Sequence, residues 1–249
     1  MNARRLTVLS ALLCLASMAR AQNSPIAVEL EIGPAWQSYN NVEIPNDGSA
    51  TRFSLYDLAG SGPWPAGRLY VTWNPRQRHG FRLLLAPFSL TENGVPENAI
   101  RFAGATYSAG RPTQATYTFN SYRLTYRYRI YDSDRTTAWI GFTGKVRDAV
   151  IALEQNTIES SKEDLGFVPL LHIFAQRRFA RRWSLSLDVD ALAGGPGRAE
   201  DAALKLGSDL GDGWIVQAGY RMVEGGADVD EVYTFAWLHY AVMSVSWNR

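Results

Sequence analysis

Apolar and polar residues alternate with a period of two along several stretches of the chain. From Tyr122 to Ile130, the even-numbered positions are aromatic or aliphatic, and the odd-numbered positions are arginines and one threonine. Trp183 to Ala191 repeats the alternation, with serines and aspartates as the polar set. Helical spacing would mix the two sets on every face, so these stretches predict β-strands with one apolar and one polar face.

The alternating stretches predict an all-β chain of about ten strands in up-and-down antiparallel order. The predicted strands cover residues 26–38, 67–74, 80–90, 114–131, 136–154, 166–178, 182–193, 200–209, 213–224 and 230–248. Twelve strands remain an alternative, in which residues 52–58 and 99–107 also join the wall. In that arrangement Asp57 would share a face with Phe53 and Leu55, so ten strands are preferred.

Two kinds of feature interrupt the strand pattern. Residues 140–153 keep their alternation only if it slips by one position at Arg147 and Asp148, which predicts a β-bulge there. Polar or glycine-rich connections lie between the strands and are predicted to be outer loops, at residues 39–66, 91–113, 155–166, 194–200 and 224–230. The remaining connections are short, as in barrels with tight turns at one end.

A soluble sandwich alternates as well, so strand length and aromatic positions must decide between a soluble and a membrane barrel. Most of the predicted strands exceed the roughly five or six residues of soluble sheets. Five tryptophans lie beside short turns or the C-terminus, as expected of an aromatic girdle at a membrane surface: Trp73, Trp139, Trp183, Trp214 and Trp247. The pattern predicts an up-and-down transmembrane β-barrel whose apolar face meets lipid and whose lumen is polar.

The N-terminal segment has the composition of a secretory signal. Arg4 and Arg5 precede an apolar run, and Ala19 and Ala21 supply small residues at a cleavage site, so residues 1–21 are predicted to be a signal peptide. The remaining residues, 22–249, are predicted to form a single barrel domain. Loss of the three arginines of the segment would take the formal net charge from +1 to −2, which leaves no basic excess for a nucleic acid partner.

The chain resembles the small outer-membrane β-barrel proteins of Gram-negative bacteria. The segments that carry the resemblance begin at Phe119, Gly166, Glu224 and Tyr233, and the last of them is the closing strand that ends at Trp247. From Phe119 onward the chain is similar to a group in this class that has no assigned activity. The resemblance implies an outer-membrane location, insertion by the barrel-assembly machinery and contact with outer-membrane lipid. No cofactor is predicted, and the oligomeric state is left open.

If the polar face of each strand is assigned to the lumen, many charged side chains point inward. Arginines and Lys145 crowd the third to fifth strands, whereas carboxylates lie on the first and seventh, so a basic wall is expected to face acidic ones. Either these charges pair across the lumen and plug it, or they line a narrow polar pore for small solutes. The predicted cluster contains Glu29, Glu31, Arg82, Arg123, Arg127, Arg129, Lys145, Arg147, Asp148, Asp188, Asp190 and Arg221, with Arg68, His172 and Lys205 on the same parity.

Two other classes of function stay open. A lipid-modifying enzyme would need a serine activated by a histidine. The candidate pairs are His239 with Ser244 or Ser246, and His172 with Ser184 or Ser186, but none of them has a familiar motif spacing. A surface-recognition protein would use the long first loop. No metal site is predicted, because the acidic stretch at residues 228–231 lacks the ligand spacing of a calcium-binding loop.

Overall fold

The wall of the molecule is a closed antiparallel sheet. The structure, a computed structural model, describes residues 25–249; the predicted signal peptide, with Cys14, lies outside the described residues. The only helix in the described part is α1 (Leu55–Ala59). The strands are β1 (Ile26–Glu43), β2 (Phe53–Ser54), β3 (Trp64–Arg76), β4 (His79–Ala86), β5 (Ser89–Gly94), β6 (Ile100–Phe102), β7 (Ala105–Tyr107), β8 (Thr113–Asp132), β9 (Thr136–Gln155), β10 (Ile158–Arg178), β11 (Trp183–Gly194), β12 (Gly197–Gly211), β13 (Trp214–Val229) and β14 (Val232–Asn248).

Ten wall strands close the barrel, which confirms the preferred strand number. Neighbours in sequence pair along the wall, and β14 pairs with β1 to complete the ring. Strands β4 and β5 form one wall strand along β8, because the register from Ala86 opposite Ser121 continues to Ser89 opposite Thr118. The other predicted wall candidates stay out of the ring: β2 pairs only briefly with β1, and β6 and β7 form a separate hairpin.

The two ends of the barrel differ. The first residues of β1 and the last of β14 lie together with the turns β3–β4, β8–β9, β10–β11 and β12–β13, and we call this the terminal end. The opposite end, the loop end, carries the segments between β1 and β3 and between β5 and β8. Four tryptophans on the outer face mark the terminal end: Trp73, Trp183, Trp214 and Trp247. The fifth, Trp139, is only 6% exposed and lies in the lumen, so its inclusion in the girdle was wrong.

Apolar side chains face outward and charged side chains face the lumen, as predicted for a membrane barrel. Outward residues are large and apolar, with Phe142 68% and Phe167 71% exposed, while the buried inward residues include most of the charged ones. A soluble barrel would bury the apolar set and expose the charges. The outer face therefore has the chemistry of a surface that contacts hydrocarbon.

Three of the predicted outer loops are strand instead. Strands β9 and β10 pair from Gln155 opposite Ile158 onward, and β11–β12 and β13–β14 likewise pair up to their tight turns. The prediction failed for residues 155–166 because both faces of this stretch are polar, which removes the alternation. The polar outward residues, such as Glu159 and Glu163, indicate that the wall continues into water beyond the apolar band.

The β-bulge predicted at Arg147 and Asp148 is also wrong. The register of β9 runs through both residues without a shift on either side. What changes along β9 is the lumen itself, since the inward residues pass from Lys145 to the apolar Ile151 and Leu153. Asp148 consequently faces outward, where it accepts a hydrogen bond from Asn120 at 3.0 Å, and it does not belong to the lumen cluster.

An apolar plug fills part of the lumen at the loop end. The segment between β1 and β3 buries Leu55 of α1, and the β6–β7 hairpin buries Phe102 and Tyr107 against the inner wall. Packing is so close that a Cβ on Gly94 would lie 1.8 Å from the Leu58 carbonyl oxygen, so this contact requires glycine. The first long connection is therefore an internal element, and the prediction of a polar surface loop was wrong.

Candidate functional site

The centre of the lumen holds a carboxylate that sequence analysis missed. Asp201 of β12 is 2% exposed and accepts hydrogen bonds from Arg68 Nη1 at 2.9 Å, from Arg123 Nη2 at 2.7 Å and from Arg221. These arginines come from β3, β8 and β13, so one carboxylate ties β12 to its neighbour β13 and, across the lumen, to β3 and β8. Asp201 lies four residues before Lys205 and on the same face of β12, so following the inward positions of this strand back from Lys205 would have identified it.

A second set of ion pairs lies beside Asp201 and joins β1 to β12 and β13. Glu31, 1% exposed, accepts from Arg221 Nε at 2.9 Å and from Lys205 Nζ at 3.0 Å. Lys205 also donates to Glu29 at 2.5 Å. The strands β1 and β12 are thus clamped across the lumen by a lysine between two glutamates.

The opposite side of the lumen pairs β4 with β11. Arg82 donates to both carboxylate oxygens of Asp188, at 2.7 and 3.0 Å, in the bidentate geometry that favours arginine. Asp190 accepts from Arg123 Nη1 at 2.9 Å and contacts His172 Nδ1 at 2.8 Å. The chain of contacts therefore runs without a break from Asp190 through Arg123 to Asp201.

Together these groups, which we call the lumen network, fill the barrel at this level. Its members are Glu29, Glu31, Arg68, Arg82, Arg123, His172, Asp188, Asp190, Asp201, Lys205 and Arg221. Most of them are buried, whereas a continuous aqueous path would leave such side chains exposed. Removing one partner of a buried pair costs about 3–5 kcal/mol, so the network resists opening.

Arginines outside the network occupy the terminal end of the lumen. Arg127 lies over the ring of Trp139, with 4.5 Å between guanidinium carbon and ring centroid, and donates to Asn74 at 3.1 Å. Arg129 lies nearer the rim, where it pairs with Asp132 at 2.9 Å. Cation–π contact with tryptophan explains how Arg127 stays buried with no carboxylate partner among the described residues.

Above the network, toward the loop end, lies a pocket of about 650 Å³. Its walls come from β8 to β14, and its apolar surface includes Tyr117, Phe119 and Ile151. Arg147 also lines it and is paired with Asp164. The volume falls in the range of roughly 300–1,000 Å³ that is typical of small-molecule sites.

Lys145 provides the polar floor of this pocket. Its side chain is 3% exposed, lies beside Arg123 in the β8–β9 register and lines the pocket. The ammonium lies 4.5 Å from the centroid of Phe119, and no carboxylate within residues 25–249 forms a salt bridge with it. Buried charges in proteins are normally paired, so the floor is a candidate anion-binding position.

One wall of the pocket is split. Strands β10 and β11 pair only from Leu171 opposite Ala191 toward the terminal end, whereas β10 pairs with β9 along its whole length. Beyond Leu171 we call the separated edges the β10–β11 seam. Phe167, exposed on the outer face, lines the pocket from one edge. Leu192, on the inward parity of Asp190, lines it from the other. The pocket therefore reaches the outer surface sideways, between apolar residues.

Neither a metal site nor a membrane-spanning helix is found in the part of the chain that the structure describes. Residues 25–249 contain no group of three or more His, Cys, Asp and Glu side chains placed to hold a metal ion. The helix described, α1, is not long and apolar enough to cross a membrane.

Comparisons with known proteins identify the fold. No protein-family model and no curated protein matches the chain. The outer membrane protease OmpT from Escherichia coli matches with a TM-score of 0.53 and 8% sequence identity, over 92% of this chain and 99% of its own. The translocator domain of the autotransporter NalP from Neisseria meningitidis matches with a TM-score of 0.43 and 10% identity, over 98% of this chain and 95% of its own. The chain has the fold of the Gram-negative outer-membrane β-barrels; at this identity the likeness carries no activity.

Proposed function

We propose that this protein lies in the bacterial outer membrane as a barrel closed to diffusion, and that it binds a small anionic amphiphile in the pocket at the loop end. The observation that carries the proposal is Lys145, a buried ammonium on the floor of an apolar pocket with no carboxylate partner in the described chain. The lumen network lies directly below it and separates the pocket from the terminal end.

The chemistry of the pocket supports this ligand class. The anionic group of the ligand pairs with Lys145, and its hydrocarbon chain lies against Tyr117, Phe119 and Ile151. The β10–β11 seam provides an entrance from the apolar surroundings of the barrel, so the ligand need not cross water. These features together favour a fatty acid over a hydrated solute, and they favour a binding protein over a narrow pore.

Binding of laurate tests the proposal. Purified protein in detergent is titrated with a fluorescent fatty acid, which laurate then displaces, and dodecanol serves as the uncharged analogue. Lys145→Met keeps the length of the side chain and removes its charge. A hydrogen bond to a charged group contributes about 1.5–3 kcal/mol, so the variant is expected to bind laurate roughly 10- to 100-fold more weakly and dodecanol unchanged.

Lys162→Met is the matched control, because Lys162 also lines the pocket but is only half-buried. We expect it to change laurate affinity less than threefold. Equal affinity of wild type and Lys145→Met for laurate would refute the ligand assignment. Stable conductance steps of the wild type in planar bilayers would instead refute the closed lumen and restore the narrow pore.

A further inference from the structure

A β-bulge places a serine on the outer face of the barrel at the seam between β1 and β14. The register of these strands passes from Gln37 directly to Tyr39 and leaves Ser38 without a partner. Gln37 and Asn40 are buried in the lumen, so Ser38 and Tyr39 both face outward. Bulges commonly re-aim a side chain beside an active site.

The re-aimed hydroxyl meets a histidine of the neighbouring strand. Ser38 Oγ lies 2.7 Å from His239 Nε2. Neither serine proposed from the sequence can reach this histidine, because Ser244 and Ser246 face the lumen while His239 lies on the outer face. The serine in reach of His239 lies 201 residues away from it along the chain.

The other ring nitrogen of His239 is also engaged. Nδ1 lies within hydrogen-bond distance of the Tyr220 hydroxyl, and the ring is stacked near Trp237, with 5.6 Å between centroids. When Nδ1–H donates to Tyr220, Nε2 is left as the acceptor for Ser38 O–H. This is the arrangement of an activated nucleophile: a hydroxyl, a base within reach, and a third group that orients the base.

The position along the wall suits a lipid substrate. His239 lies eight residues from Trp247 on β14, and a strand that rises about 3.4 Å per residue at a tilt of about 40° climbs roughly 20 Å over that length. The apolar band of such barrels is about 25 Å tall. The pair therefore lies near the loop-end border of the band, where acyl chains join the lipid headgroups.

We infer that Ser38, His239 and Tyr220 form an esterase site on the outer face of the barrel, which hydrolyses the ester-linked acyl chain of an outer-leaflet lipid. Ser38 Oγ attacks the ester carbonyl carbon while its proton passes to His239 Nε2. The bond between the carbonyl carbon and the ester oxygen of the lipid breaks, and the departing deacylated lipid takes that proton as an alcohol. Water, deprotonated by His239, then attacks the acyl-serine and releases the fatty acid, which restores both side chains.

Two measurements on the full chain in detergent test this inference, and neither depends on the pocket. A fluorophosphonate with a long alkyl chain is expected to label Ser38, as located by peptide mass spectrometry. Vesicles of a diacyl phosphatidylethanolamine and purified lipopolysaccharide are then offered separately, and released fatty acid is measured. Release from one of them identifies the source of the acyl ester.

The variants separate chemistry from folding. Ser38→Ala is expected to lose label and to lower fatty-acid release at least 100-fold, while Tyr220→Phe, which frees Nδ1, is expected to lower kcat with little change in KM. Ser89→Ala is the matched control, because Ser89 is also exposed on the outer face and bonded to a hydroxyl, that of Thr118 at 2.7 Å. Equal release by Ser38→Ala and wild type, or no label and no release by the wild type, overturns the inference.

Discussion

Asp201→Asn tests the lumen network at the point where it converges. The substitution keeps the size of the side chain and removes the charge that faces Arg68, Arg123 and Arg221. Breaking a buried ion pair costs about 3–5 kcal/mol. Arg123 and Arg221 each keep another carboxylate, at 2.9 Å in both cases, so the lower end of that range applies. We expect the free energy of unfolding to fall by about 3 kcal/mol, or roughly a hundredfold in the unfolding equilibrium constant.

Reversible urea unfolding in phospholipid vesicles, followed by tryptophan fluorescence and circular dichroism, measures this loss. Asp134→Asn is the control, because Asp134 is exposed in the turn between β8 and β9 and its substitution should change stability by no more than about 0.5 kcal/mol. If the two variants agree within about 1 kcal/mol, Asp201 is solvated rather than buried among guanidinium groups. The inference that the network closes the lumen would then be wrong.

Two further predictions concern the lumen and its plug. In variants that retain a single tryptophan, brominated lipid should quench the fluorescence of Trp183, which is exposed on the outer face. It should leave Trp139 unquenched, because that ring lies in the lumen beneath Arg127. Comparable quenching of both would place Trp139 on the lipid side. Leu55→Ala should lower the free energy of unfolding by about 2–5 kcal/mol, since Leu55 is 1% exposed, and a loss below 1 kcal/mol in the same urea assay would show that the plug does not pack.

Local pattern predicted most of the wall. Where one face of a strand meets hydrocarbon and the other faces charged lumen groups, outward residues are apolar and inward residues are polar, as in Tyr122–Ile130 and Trp183–Ala191. The pattern fails where the environments change. Along β9 the inward side chains change from polar to apolar, so the apolar positions shift parity in the sequence and a bulge was predicted where the strand is regular. At the start of β10 both faces are polar, so a loop was predicted where the structure has a strand.

The candidate sites depend on contacts that no local pattern records. The sequence indicated that Arg123 and Asp190 face inward, but only the closed ring brings β8 against β11 and β12, where Asp201 completes the pairing. Ser38 and His239 became partners through a bulge at the strand pair that closes the barrel. Closure joins the first and last strands of the wall, and this long-range pairing has no signal in the sequence near either residue.

The sequence by itself determined the alternation, and with it the barrel class, the ten wall strands and the charged parity of the lumen. The tertiary structure alone decided which charges meet, that Trp139 lies inside, and that the first connection folds into the barrel as a plug. The physical reason is that the outward or inward direction of a side chain follows from its position on the strand. Its partners follow from the register, tilt and closure of the whole sheet.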